Sequence, residues 1–196
     1  MIKINDIAAC AEIAHRHDCL LGVDNTFASP LLTHPLELGA DIVMHSATKY
    51  LGGHSDVMGG ALVVNDQELF DRLYFVQNAT GAALAAFDSF LVHRGAKTLA
   101  VRMAAQCETA MQLAQWLAAD PRISRVLYPG LATHPGHELA ARQMGGRFGA
   151  MLSLEVVGDF DKAKRVVEST KLFQLDVSLG AVESLLEQPA ALSHAS

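Results

Sequence analysis

The sequence predicts an α/β protein with a mostly parallel sheet flanked by helices, followed by part of a smaller α+β unit. Three observations carry that expectation. Short continuous apolar runs at residues 19–23, 41–45 and 61–64 have the form of strands covered on both faces. Segments with apolar residues every three to four positions lie between and after them, the rhythm of helices packed on a sheet. The chain has 196 residues and is 51% hydrophobic, enough for one substantial core or one domain and the start of another.

In chain order, residues 6–18 place Ile7, Ala8, Ala11, Ile13 and Ala14 at helical spacing, with Asn5 or Asp6 available as the cap. Cys19-Leu20-Leu21-Gly22-Val23 then forms a first strand that ends at Asp24. A Pro- and Asn-containing loop leads to a second strand at 41–45, and Gly59-Gly60 precede a third at 61–64. Asp66 caps a helix over 67–77, and Ala/Leu-rich helices follow at 84–92 and 98–118. Pro121 stops the long helix, and Ile123 begins a strand closed by the turn Tyr128-Pro129-Gly130. A helix at 136–144, an alternating strand at 150–157 and a helix at 161–169 complete the pattern. The boundary between a large unit, 1–110, and a smaller one, 111–196, is expected inside the long helix. Both ends look cut: the chain starts almost on a helix and stops at Ser193-His194-Ala195-Ser196 with no closing element after Pro189.

Charge and cysteine content narrow the function classes. Fifteen basic against 21 acidic residues give a net charge of −6 without a basic cluster, which disfavours nucleic acid as a partner. No apolar run approaches the roughly 18 residues of a membrane span, so no membrane partner is expected. Met1-Ile2-Lys3-Ile4-Asn5-Asp6 lacks the apolar core of a signal peptide. Cys10, Cys19 and Cys107 are odd in number and form no C-x-x-C pair, which points to a reducing compartment, most simply the cytoplasm.

The chemistry concentrates in Ser46-Ala47-Thr48-Lys49. It follows an apolar strand and so falls at the carboxyl edge of the sheet, where α/β folds place ligands. Two hydroxyls two residues apart can grip a phosphate, and a lysine beside them can form an imine with an aldehyde. A solvated surface loop is the plain alternative for that tetrad. Asp24 ends the preceding strand and should emerge at the same edge. A carboxylate there keeps a pyridine nitrogen protonated, as the cofactor pyridoxal 5′-phosphate (PLP) requires; a turn closed by Asp24 before Asn25-Thr26 is the structural alternative. Glycines at 52, 53, 59 and 60 allow close backbone approach or simply tight turns.

Several segments carry a family resemblance. Val23-Asp24-Asn25-Thr26-Phe27-Ala28-Ser29-Pro30, Pro35-Leu36-Glu37-Leu38-Gly39-Ala40-Asp41, His45-Ser46-Ala47-Thr48-Lys49-Tyr50 and Gly53-His54-Ser55-Asp56 resemble the Cys/Met-metabolism PLP enzymes. Phe87-Asp88-Ser89, Arg94-Gly95, Lys97-Thr98-Leu99, Tyr128-Pro129-Gly130-Leu131, Ser178-Leu179-Gly180 and Val182-Glu183-Ser184-Leu185 continue it along essentially the whole chain. The resemblance implies a fold-type I PLP-transferase-like architecture and homotetramers built as dimers of dimers. It implies elimination or replacement at Cγ or Cβ of a sulfur amino acid, of cystathionine γ-synthase or γ-lyase type. It implies Lys49 as the imine-forming residue and proton shuttle, Asp24 as partner of the ring nitrogen, and Ser46 and Thr48 as phosphate contacts. Ser178 and the backbone of Leu179 would meet the substrate carboxylate, and Tyr50 and His54 are expected as scaffold.

Departures from the family pattern accompany the matches. Its stacking tyrosine, glycine-containing phosphate cup and neighbour-donated Tyr/Arg pair lie upstream of the lysine, where this chain has 48 residues. The carboxylate-clamping arginine follows the Ser-His-Ala-Ser region and is not in the sequence. Val177 and Ala181 replace a common glutamate and glycine, and Gly145-Gly146-Arg147-Phe148 is one residue longer than usual. A truncated, non-catalytic remnant or fragment of such an enzyme is therefore the alternative. No metal site is expected: His134 and His137 flank a Pro-Gly turn without an acidic or thiol partner nearby and read as a surface pair. His45 reads as a packed histidine, the Met103–Met111 stripe as core or interface, and Lys162-Ala163-Lys164-Arg165 as a solvated face.

Overall fold

The computed structural model describes residues 2–191. Helix α1, Ile7–Arg16, starts where the Asp6 carboxylate accepts the Ala9 N–H at 3.1 Å. Strand β1, Gly22–Asp24, is shorter than the apolar run that predicts it. A compact loop follows, holding the four-residue helix α2, Ser29–Leu32, and a 3₁₀ turn at Pro35–Leu38. Strands β2, Ile42–Ser46, and β3, Gly60–Val63, complete a three-stranded sheet in the order β1-β2-β3.

The sheet is mixed. β1 and β2 pair in parallel with Asp24 opposite Met44, whereas β3 runs antiparallel to β2 with Leu62 opposite Met44. The reversal follows from the connection: residues 47–59 return as a turn and loop, with no helix to carry the chain back for a parallel pairing. The expectation that these strands are covered on both faces is corrected. Gly22 and Asp24 are exposed, and all four residues of β3 are exposed, Leu62 at 56%. Only β2, central in the sheet, alternates buried Val43 and His45 with half-buried neighbours.

Helix α3, Gln67–Thr80, is capped by Asp66, whose carboxylate accepts the Leu69 N–H at 2.7 Å. It runs one turn beyond its predicted end, to Gly81 in the left-handed conformation. Helix α4, Ala86–Ala96, starts and ends later than its apolar spacing suggests. Helix α5, Leu99–Ala118, then crosses between two cores. Its first half packs Leu99, Met103 and Cys107 with Leu32 and Tyr50; its second half packs Ala110, Ala114 and Leu117 with Val126 and Tyr128.

The second core is covered by β4, Ile123–Leu127, paired antiparallel with β5, Ser153–Val156. Between them lie helix α6, His137–Gln143, and a buried Tyr128 whose hydroxyl donates to the Gly149 carbonyl at 2.9 Å. Helix α7, Phe160–Ser169, begins on the Asp159 side-chain cap, and two-residue strands β6, Gln174–Leu175, and β7, Leu185–Leu186, pair in parallel. His134 and His137 are not a surface pair. His134 is buried, bonded to the Ile2 carbonyl and the Gly136 N–H, while His137 bonds the Pro129 carbonyl and stacks on Phe148 at 5.3 Å. The Ser193-His194-Ala195-Ser196 segment lies outside the described residues.

Candidate active site

The parallel pairing of β1 and β2 brings Asp24 and the Ser46–Lys49 segment to one carboxyl edge of the sheet. Hydrogen bonds lock the two strand ends together. The Asn25 N–H donates to the Met44 carbonyl at 2.9 Å, and the Ser46 N–H donates to the Thr26 hydroxyl at 2.8 Å. Asp24 closes the turn that its local sequence allows, accepting the Thr26 N–H at 2.9 Å through one carboxylate oxygen, and remains exposed. Buried Asn25 holds the following loop by donating to the carbonyls of Ser29 and Thr33 at 3.1 and 2.9 Å.

After Ser46 the backbone makes a single tight turn, Ala47–Leu51. Lys49 leaves helical geometry there, at φ −91° and ψ −124°, while Gly52 and Gly53 N–H groups bond the Ala47 and Lys49 carbonyls at 2.8 Å. Helix α4 seats directly on this turn. A Cβ at Gly95 would collide with the Gly52 carbonyl oxygen, so only glycine permits the approach. Tyr50, 2% exposed, anchors the turn in the first core, and His54 Nδ1 pairs with the Gly52 carbonyl at 2.8 Å. Both serve the scaffold.

The two hydroxyls in the lysine segment differ. Thr48 Oγ1 accepts the Gly59 N–H at 3.0 Å and donates to the Gly59 carbonyl at 3.4 Å, so this hydroxyl is already bonded to the chain. It ties the lysine turn to the entrance of β3. The half-buried Ser46 hydroxyl has no hydrogen bond to any described residue. Sequence spacing treats the two alike and carries no signal for the Gly59 contact or for the Thr26 bridge. Both depend on residues that become neighbours only in the fold.

A segment 129 residues downstream completes the constellation, where Lys49 Nζ donates to the Ser178 hydroxyl at 2.7 Å. The contact is fixed from behind. Gly180 adopts φ +87°, and a Cβ there would lie 2.5 Å from the Tyr50 nitrogen. Leu179 packs its side chain against the core of Leu32, Tyr50, Leu99, Met103 and Cys107, which leaves its backbone as the part able to meet a ligand. Gln106 on α5 donates to the Ala181 carbonyl at 2.9 Å, another contact with no signal in the local sequence.

Burial tunes the groups behind this edge. Desolvation pulls the His45 imidazole below its ordinary pKa, opposed by the nearby Asp24 charge, so His45 stays neutral at pH 7. Desolvation pushes the Tyr50 hydroxyl up, with the neighbouring Cys107 and Tyr128 adding to it, and raises the Cys107 thiol. These groups are held uncharged, a property of packing residues.

The donor set suits PLP: a primary amine for the aldehyde, an exposed carboxylate for the ring nitrogen, and a half-buried hydroxyl without a partner among the described residues for the phosphate. Comparison with known proteins decides the family. A family model described as Cys/Met metabolism PLP-dependent enzyme matches residues 1–196. The chain belongs to this family. It is 55% identical over all its 196 residues to a cystathionine beta-lyase of Coxiella burnetii, covering 50% of that protein. It is 53% identical to a cystathionine gamma-synthase of Mycobacterium leprae, again over the whole chain and 50% of the relative. A solved cystathionine gamma synthase from Xanthomonas oryzae pv. oryzae, in complex with aminoacrylate and cysteine, superposes with a TM-score of 0.95 at 46% identity, covering 98% of this chain and 50% of that one. The chain thus spans about half the length of the family members it matches, and its α/β fold is the fold-type I architecture of these PLP enzymes.

Proposed function

We propose that this chain carries the lysine-bearing part of a PLP-dependent enzyme that performs elimination or replacement at Cγ or Cβ of a sulfur amino acid, of cystathionine γ-synthase or γ-lyase type. The observation that supports it most directly is the Lys49 Nζ–Ser178 Oγ contact at 2.7 Å on the sheet edge that also presents Asp24. Bound PLP supplies an electron-withdrawing ring that stabilises negative charge at the substrate Cα. Asp24 keeps the ring nitrogen protonated by its negative charge. Ser46 would donate its hydroxyl, which has no partner among the described residues, to the phosphate, and Thr48 would donate by turning its O–H from the long 3.4 Å contact with the Gly59 carbonyl while still accepting the Gly59 N–H. Lys49 takes and returns the proton at the substrate carbon, its amine aimed by Ser178. Ser178 and the Leu179 backbone face the substrate carboxylate.

The same reading divides the protein at 110/111, within α5 and close to where its contacts pass from the first cluster, ending at Cys107, to the second, beginning at Ala110. It places the protein in the cytoplasm as a homo-oligomer, a dimer of dimers, which would cover exposed aromatics such as Phe75 and Phe87. A second reading, a fragment without catalysis of its own, is favoured by the half-length match and by the exposure of Asp24 and Ser178. One experiment separates them. The full chain is mixed with PLP and divided: one portion is assayed with cystathionine, and the other is reduced with borohydride and mapped by peptide mass. A label on Lys49 with turnover supports the enzyme reading, and a label on Lys49 without turnover supports the fragment. Label scattered over surface lysines removes the proposed cofactor site.

A further inference from the structure

We propose that Gln106 is a positioning residue for this site, holding the Ser178–Ala181 segment so that the Ser178 hydroxyl stays on the Lys49 amine. The inference rests on the proposed role of Lys49. Half-buried Gln106 lies one turn after Arg102 and beside Met103 and Cys107 of the first core on α5. Its Nε2 donates to the Ala181 carbonyl at 2.9 Å, and that acceptor fixes which end of the amide points inward. Its Oε1 is buried without a hydrogen-bond partner among the described residues. A half-satisfied amide is a poor choice for filling space, because an apolar side chain of similar length would leave no orphaned oxygen. The donor is therefore what the position provides.

Three contacts then act in series along four residues. Gln106 grips residue 181, Gly180 presses on the Lys49–Tyr50 backbone, and Ser178 accepts from Lys49 Nζ. Exposed Ser178 has no other hydrogen bond to a described side chain, so its placement depends on that anchoring.

The test compares the chain with its Gln106→Met and Ser178→Ala variants, all without PLP. Two quantities are read: amide hydrogen exchange by peptide, and the rate at which Lys49 is acylated by a small anhydride. Gln106→Met should raise exchange across 176–182 by about fivefold, the effect of one lost hydrogen bond, and should change Lys49 acylation as Ser178→Ala does. Ser178→Ala should change acylation while leaving segment exchange at the parent rate. Unchanged exchange, or an unchanged acylation rate, overturns the inference. So does exchange that rises equally across α5 and β4–β5, which marks general destabilisation. If Gln106→Met does not fold, Gln106→Glu, which places an acceptor against the carbonyl, is read the same way. Neither readout needs PLP, so failure of cofactor binding and failure of the Gln106 role remain distinguishable.

Discussion

Asn25 donates to two carbonyls within the loop after β1 while 4% exposed. Replacing it by leucine strands both acceptors. Asn25→Leu should cost about 2–4 kcal/mol, read as a lower urea midpoint, and unchanged stability would refute the loop role. The cysteines give a second check at this scale. Cys10 and Cys19 are exposed, whereas Cys107 is buried with its thiol pushed up by desolvation. An aromatic disulfide reagent at pH 8 should titrate two thiols rapidly and the third only as the protein unfolds. A third fast thiol would contradict the packing of the first core. Lys49 and Asp24 were legible as residues because lysine chemistry and a strand-ending carboxylate have recognisable sequence neighbours. Thr26, Gly59 and Gln106 were not, since their contacts cross 20, 11 and 75 positions of chain.

Elements carry their own predictions. Helix α5 joins the two cores, and Met103 at its first core is fully buried. Met103→Ala should remove about 2–5 kcal/mol of stability, with increased exchange in the Lys49 turn, because Tyr50 packs in the same cluster. Loss of stability with the turn unaffected would show that the core and the turn are uncoupled. In β2, buried His45 has a folded pKa below 6.5. The folded state therefore binds this proton less readily than the unfolded chain. The resulting stability is complete above about pH 6.5 and declines as pH falls through the folded value. Between pH 8 and pH 5 the parent should lose more stability than His45→Gln, measured by urea unfolding at each pH. Equal losses would assign the acid sensitivity elsewhere. Caps at Asp6, Asp66 and Asp159 fixed helix starts within a residue or two of the sequence expectation, because an N-cap is a local bond. Strand direction was not local in this way, and β3 turned out antiparallel.

At the scale of the whole molecule the informative feature is uncovered apolar surface. Leu62 on β3, Phe70, Tyr74 and Phe75 on α3, and Phe87 and Phe90 on α4 are all half or more exposed. Such patches mark surfaces that meet other protein. Sedimentation should give a mass that is a multiple of 21.0 kDa, and Phe75→Glu should shift it toward the single chain. A monomer without dye-binding apolar surface would contradict the proposed assembly.

Apolar runs, capping residues and the spacing of hydroxyl, lysine and carboxylate are local facts, and from the sequence alone came the α/β class, the family resemblance and the proposal of Lys49, Asp24, Ser46, Thr48, Ser178 and Leu179 as site residues. The tertiary structure decided how they relate. Long-range contacts placed Ser178 on Lys49, bonded Thr48 to Gly59 and set Gln106 behind the loop. The same structure showed β3 and both ends of β1 exposed where the apolar runs read as covered. An apolar run encodes a preference for burial, but whether a covering surface is at hand depends on distant chain, and no local pattern reports that.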